Sequence, residues 1–152
     1  MNVLQSHSNS IFSHEFTVPQ NAVDQNGHVN NVVYVQWMQD VAVRHSDSVG
    51  GTKAMHESGS IWVVRSHKIE YFRPAYAGEE VVALTWVSSV RRARSMRRYK
   101  FYRKNDSTLL AKGETDWVFI DAQTGRPRKI PKTVLDVFTL VPKDEEPQQV
   151  NI

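Results

Sequence analysis

Asp24-Gln-Asn-Gly-His-Val-Asn-Asn-Val-Val-Tyr34 is the stretch around which this sequence organises itself. Its first half is turn chemistry. Asp24 and Asn26 carry short polar side chains that bond their own backbone, and Gly27 permits a positive φ between them and His28. Its second half opens a helix. From Asn31 to Val49 there is neither Gly nor Pro, and Val33, Trp37 and Val41 recur at a spacing of four with Tyr34 and Met38 beside them. Asn30 or Asn31 supplies an N-cap and Gly50-Gly51 a stop, giving a helix roughly 28 Å long. Apolar residues cover most of its circumference, so the helix is expected to be buried.

Working outward, Ile11–Val18 alternates as a strand ending at Pro19. From Ser60 to about residue 121 the pattern is again that of β-structure. Ile61, Val63, Ile69 and Tyr71 share one parity. Val82, Leu84 and Trp86 form the next stripe, then Tyr99 and Phe101, and finally Leu109, Ala111, Trp117 and Phe119. Pro74 and Gly78 separate the first two of these strands, and Asn105-Asp106 makes a hairpin turn between the last two. Residues 121–128 read as a loop and Lys132–Phe138 as a short helix. The order is strand, long helix, four-strand antiparallel meander. It predicts an α+β domain in which about five strands wrap one long central helix. The expected boundaries are a flexible N-terminus at 1–10, one domain at 11–140 and a flexible tail at 141–152.

At 152 residues the chain suits one domain, and no run approaches a membrane-spanning length. The N-terminal residues have neither a basic segment nor an apolar core of a secretory signal. With no cysteine, disulfides, thiolate metal sites and cysteine nucleophiles are excluded, which fits a cytoplasmic protein. The net charge is only +3, but Arg91, Arg92, Arg94, Arg97, Arg98, Lys100, Arg103 and Lys104 crowd one segment. Such a cluster suits an anionic partner, among which nucleotide phosphates or an acidic carrier protein rank above nucleic acid. The competing reading is a solvated hairpin.

The chemistry-bearing residues lie in the opening stretch. Asp24, Asn26 and His28 place a carboxylate, a carboxamide and an imidazole immediately before a helix N-terminus. There, unpaired N–H groups and a partial positive charge favour a developing oxyanion. The alternative is an Asx-turn with a helix cap, in which His28 bonds a backbone carbonyl. No second His or carboxylate stands at metal-ligand spacing from His28, so no metal is expected.

This run resembles the D-x-x-G-H-x-N-N-x-x-Y signature of the 4-hydroxybenzoyl-CoA thioesterase-like hotdog family. It is also similar to the D-x-N-x-H-V-N-N-x-x-Y run of plant acyl-carrier-protein thioesterases. The likeness continues in IEYFRPAYAGEEV (69–81) and WVFIDAQTGRPRKIP (117–131) and covers roughly residues 11–138. It implies a hotdog fold and hydrolysis of an acyl-thioester of coenzyme A, with acyl-carrier protein as the alternative carrier. Coenzyme A would then be part of the substrate, and no further cofactor is implied. The resemblance makes Asp24 the nucleophile or general base and gives Asn26 and His28 orienting roles. It makes the backbone N–H near Asn31 the carbonyl-polarising donor and sets Tyr34 beside the acyl pocket. Arg91, Arg92 and Arg94 are the candidate contacts to coenzyme A phosphates or a carrier. At least a homodimer, up to a homotetramer, is implied, with the site between protomers. The plant enzymes' additional acidic residue and cysteine are replaced here by Pro74 and Ala75. A hotdog hydratase is disfavoured, because its Asp–His spacing is one residue longer. A non-catalytic acyl-CoA sensor on this fold would bring a DNA-binding segment, which is not expected before Ile11.

Overall fold

A computed structural model describes residues 10–148. Strand β1 (Phe12–Thr17) leads through a 3-10 turn at Gln20–Ala22 to helix α1 (Asn31–Ser48) and a short helix α2 (Gly51–Glu57). Strands β2 (Ser60–Tyr71), β3 (Glu80–Arg91), β4 (Arg94–Arg103) and β5 (Leu109–Asp121) follow, then a single helical turn, α3 (Lys132–Leu135). The five strands form one antiparallel sheet in the order β1-β3-β4-β5-β2.

Helix α1 starts where the cap chemistry places it. Asn30 is extended (φ −64°, ψ 134°) and its side chain accepts from the Val32 N–H. Tyr34, Trp37, Met38, Val41, Ala42 and His45 form a buried stripe at three- and four-residue spacing, and they pack on the inner face of the sheet. One sheet covers only one side of a helix. Val32 and Val43 accordingly stay exposed, and α1 is not enclosed all round as its composition suggested. The approach to β5 is close, because a Cβ on Gly113 would stand 3.0 Å from the Met38 side chain and 3.1 Å from the Lys68 carbonyl. At the other end Gly50 takes φ +81° and stops α1, yet the chain re-enters a helix at Gly51. A glycine pair read as a stop thus hides α2.

The strand stripes needed correction at three places. In β2 a bulge between Val64 and Ser66 reverses parity. Trp62 therefore turns inward onto Phe119 (ring centroids 4.9 Å apart) and Ile61 faces out, while Ile69 joins the core. A second bulge between Phe101 and Tyr102 shifts the start of β5, so that Leu110 lies in the main core and Leu109 on the opposite face. In β3 it is Val81 and Ala83 that face α1. Val82, Leu84 and Trp86 point to the other side, where they pack with Ile11, Tyr102 and Val141. An interior strand buried on both faces reads as one continuous apolar run, so parity alone cannot say which stripe meets the helix.

That second cluster takes in the start of the expected tail. Residues 141–148 lie on the outer face of the sheet. The Val141 N–H donates to the Val87 carbonyl (2.9 Å), Trp86 Nε1 to Glu146 Oε2 (3.0 Å) and Lys100 Nζ to the Pro147 carbonyl (2.5 Å). Val141 buries its side chain there, and these three bonds tie down a segment whose composition looks loose. The remainder of that expected tail (149–152), and the expected flexible N-terminus up to residue 9, lie outside the described residues.

Candidate active site

Asp24 to His28 form a tight turn closed at both ends. The Asp24 N–H donates to the His28 carbonyl (3.1 Å), the Gly27 N–H to the Asp24 carbonyl (3.0 Å), and Val23 bridges Val29. Gly27 sits at φ +87°, the left-handed region that glycine adopts without penalty. Asp24 Oδ1 accepts the Asn26 N–H at 2.8 Å, so the Asx-turn is present. It occupies one carboxylate oxygen only. Two further bonds tie the turn to the body of the protein, Val29 N–H to the Ala75 carbonyl (2.8 Å) and Asn30 N–H to the Ala22 carbonyl (2.9 Å). Asp24 and His28 are half-buried and Asn26 is exposed.

The helix follows at once. Its cap engages two amides, Val32 N–H by the Asn30 side chain (3.0 Å) and Val33 N–H by the Asn30 carbonyl (2.9 Å). The Asn31 N–H is left out of the cap, so a donor at the positive end of an 18-residue helix stands next to the turn. The Asn31 carbonyl accepts from the Tyr71 hydroxyl (2.8 Å), which fixes this first turn against β2.

The other expected site residues separate. His28 Nδ1 lies 3.5 Å from the Val29 carbonyl, a weak contact that commits the ring to no tautomer. Among the described residues no bond between side chains joins Asp24, Asn26 and His28; the one link is the Asn26 backbone N–H on Asp24 Oδ1. Tyr34 is buried in an edge-on cluster with Trp37, Tyr71 and Phe101, so it belongs to the core beneath the turn. Burial holds its unpartnered phenol far above the usual range. Arg91, Arg92 and Arg94 sit at the β3–β4 turn, where Arg92 adopts φ +40°. Arg94 is paired with Asp116, while the side chains of Arg91 and Arg92 enter none of the ion pairs among the described residues. The Asp24 turn is tied to Ala75, close before β3 begins at Glu80, whereas Arg91 ends that strand. At about 3.3 Å per residue the two lie on the order of 30 Å apart within one protomer. The remaining cations of the cluster are largely committed: Arg98 to Glu114 and Glu146, Arg103 to Glu79 and Asp106, Lys104 to Glu15 and Glu80. Among the described residues no three His, Asp or Glu side chains gather as a metal site.

One member of the basic cluster is not at the surface. Arg97 turns inward with Tyr99 and Phe101, is 5% exposed, and donates from Nη1 to His45 Nδ1 (2.8 Å) and Thr85 Oγ1 (3.1 Å). Its parity with the two core aromatics was a signal available in the sequence.

The model of the acyl-ACP thioesterase N-terminal domain matches residues 9–138. No curated protein sequence matches the chain. Among solved structures, the chain superposes on a 1,4-dihydroxy-2-naphthoyl-CoA thioesterase from Synechocystis with a TM-score of 0.75, at 17% identity over 84% of this chain and 94% of that one. An acyl-ACP thioesterase from Bacteroides thetaiotaomicron gives 0.78, at 23% identity over 95% of this chain and 60% of that one. The 12:0-ACP thioesterase from Umbellularia californica gives 0.76, at 19% identity over 93% and 56%. This chain therefore spans somewhat over half the length of those two acyl-ACP enzymes. At such identities the likeness shows the fold, which is the hotdog fold.

Proposed function

The chain belongs to the acyl-ACP thioesterase N-terminal domain family of hotdog-fold thioesterases, and from that premise we propose that it hydrolyses an acyl-thioester of coenzyme A at the Asp24 turn. The observation that carries the reading is the pairing of a half-buried carboxylate, one oxygen of which is left outside the turn, with the uncapped Asn31 N–H that follows it. In this reaction Asp24 takes a proton from water as the oxygen attacks the thioester carbon. The Asn31 N–H donates to the carbonyl oxygen as its charge grows. The C–S bond then breaks, and the thiolate collects the proton from Asp24. A thiolate leaves readily, so no strong dedicated acid is needed. Asn26 and His28 orient the water or the carbonyl from the same turn. Attack by Asp24 itself, through an anhydride that water then opens, uses the same groups.

Acyl-carrier protein is the second reading for the thiol carrier, favoured by the family match and by the exposed Arg91 and Arg92. Pairing of two copies is part of the proposal. Edge strand β2 is 12 residues long, and a long free edge is a liability that a second sheet removes. A homodimer built on it, or a tetramer of such dimers, is the expected assembly.

Asp24→Asn is the informative substitution. The amide oxygen still accepts the Asn26 N–H and keeps the turn, while the base is gone. Thiol release from a panel of acyl-CoA and acyl-carrier-protein substrates should fall by about 10²–10⁴-fold. Parent-like turnover by this variant sinks the assignment. A parent protein that releases thiol from no substrate of the panel points instead to a binding protein.

A further inference from the structure

A hollow of about 370 Å³ lies at the other end of α1, between its C-terminal half, α2, the inner face of the sheet and residues 130–140. Its walls are apolar, with Met55, Trp62, Val87, Val90, Val134 and Phe138 among them. Val43, Leu135 and Leu140 also line it and are exposed, which places its mouth at the surface. Arg97 stands in this wall. Burying a guanidinium beside an apolar hollow is unfavourable unless an anion meets it. Among the described residues no carboxylate comes within ion-pair range of Arg97, although Arg94, Arg98 and Arg103 on the same strand each have one.

Its partners are neutral. Thr85 offers a hydroxyl, and His45 is held uncharged, since burial first and Arg97 second bring its pKa down to about 3. Both bonds leave from Nη1, so Nε and Nη2, which form the planar fork suited to a carboxylate, have no acceptor among the described residues. The guanidinium also lies over the Phe138 ring, 5.7 Å from its centre. On the same hollow Trp117 keeps a buried Nε1 donor near the Tyr99 hydroxyl but outside hydrogen-bond geometry.

We propose that this hollow binds a carboxylic acid with an apolar body, its carboxylate held by the Nε–Nη2 edge of Arg97 and its body by the surrounding apolar walls. One cation and a fork of donors select a carboxylate monoanion. The volume lies within the range of small-molecule sites, and it suits a medium-length chain or a small ring system. Two sources share this chemistry: a free carboxylic acid, and the far-end carboxyl of an acyl thioester.

Calorimetric titration of the whole protein with decanoate and with decan-1-ol, no thioester present, tests the site without reference to the hydrolytic reading. Decanoate should bind at least tenfold more tightly than the alcohol. Arg97→Met, which keeps length and apolar fit, should bring the acid down to the level of the alcohol. Val90→Trp, which fills the hollow and leaves Arg97 in place, should abolish binding of both. Equal affinity of the parent for acid and alcohol overturns the proposal, as does undiminished decanoate binding by either variant. Rates on acyl-CoA pairs of equal length, one ending in methyl and one in carboxyl, then identify the source. A preference for the carboxyl-ended substrate that Arg97→Met erases assigns the site to the substrate's far end. Decanoate binding without such a preference assigns it to a free acid.

Discussion

Gly27 shows how much of the Asp24 geometry rests on one backbone angle. Its φ of +87° is available to glycine at no cost, and none of the described residues stands within 4 Å of where a Cβ would sit. Substitution is therefore a matter of backbone strain alone. Gly27→Ala should cost about 1–2 kcal/mol of stability in urea unfolding. Turnover should fall too, because relaxing the angle shifts the carboxylate away from the Asn31 N–H. Gly27→Asn, better tolerated in the left-handed region, should recover most of both. Equal losses for the two variants would mean that side-chain bulk matters there, contrary to the open space in the structure. The local backbone of the candidate site was legible at this scale, since Asx bonding, the glycine turn and the cap are decided by residues two or three apart. The role of His28 was not legible: among the described residues its ring makes only a long contact to its neighbour's carbonyl, and no more distant group there fixes it.

Elements were readable in kind and position, but which face of each strand meets the helix was readable only up to the first bulge. Each bulge in β2 and at the β4–β5 pairing adds one residue to one strand and reverses every side chain beyond it. No residue type in the run announces that. Strand β3 raised a different difficulty, since its second apolar face implies a cover that the strand itself cannot name. Val141, set on Val82, Leu84 and Trp86, is part of that cover. Val141→Ala removes two methyl groups from a fully packed position and should cost about 1–2 kcal/mol, read as a lower urea midpoint with an unchanged slope. A midpoint equal to that of the parent would show that residues 141–148 contribute nothing to the folded state.

Across the whole molecule, the order strand–helix–four strands was enough to give one sheet and its single long helix, because few arrangements bury both. The four-strand meander it suggested is not formed, since β1 takes the place beside β3 and β2 crosses to pair with β5 at the far edge. The contact at the far end of the hollow was beyond that reasoning. His45 and Arg97 are 52 residues apart in sequence, and Thr85 is a further strand away, so their meeting depends on helix phase and sheet register together. This meeting has a consequence for acid stability. His45 has its pKa lowered from 6.5 to about 3 in the folded protein, whereas the unfolded chain protonates it near 6.5. Between those values the unfolded state binds the extra proton, so the contribution of His45 is fully present above about pH 6.5 and is lost as pH falls toward 3. The loss amounts to about 1.4 kcal/mol per pH unit over that window. His14 and His67 are lowered by burial as well and act in the same sense. His45→Gln separates the terms, since its amide oxygen still accepts from Arg97 Nη1 but gains no proton. Urea unfolding from pH 7 to pH 4 should give a parent curve that falls more steeply than that of His45→Gln by close to one proton's worth of slope. Parallel curves would mean that His45 already takes up its proton in the folded state and that Arg97 tolerates a charged neighbour, contrary to the burial of both.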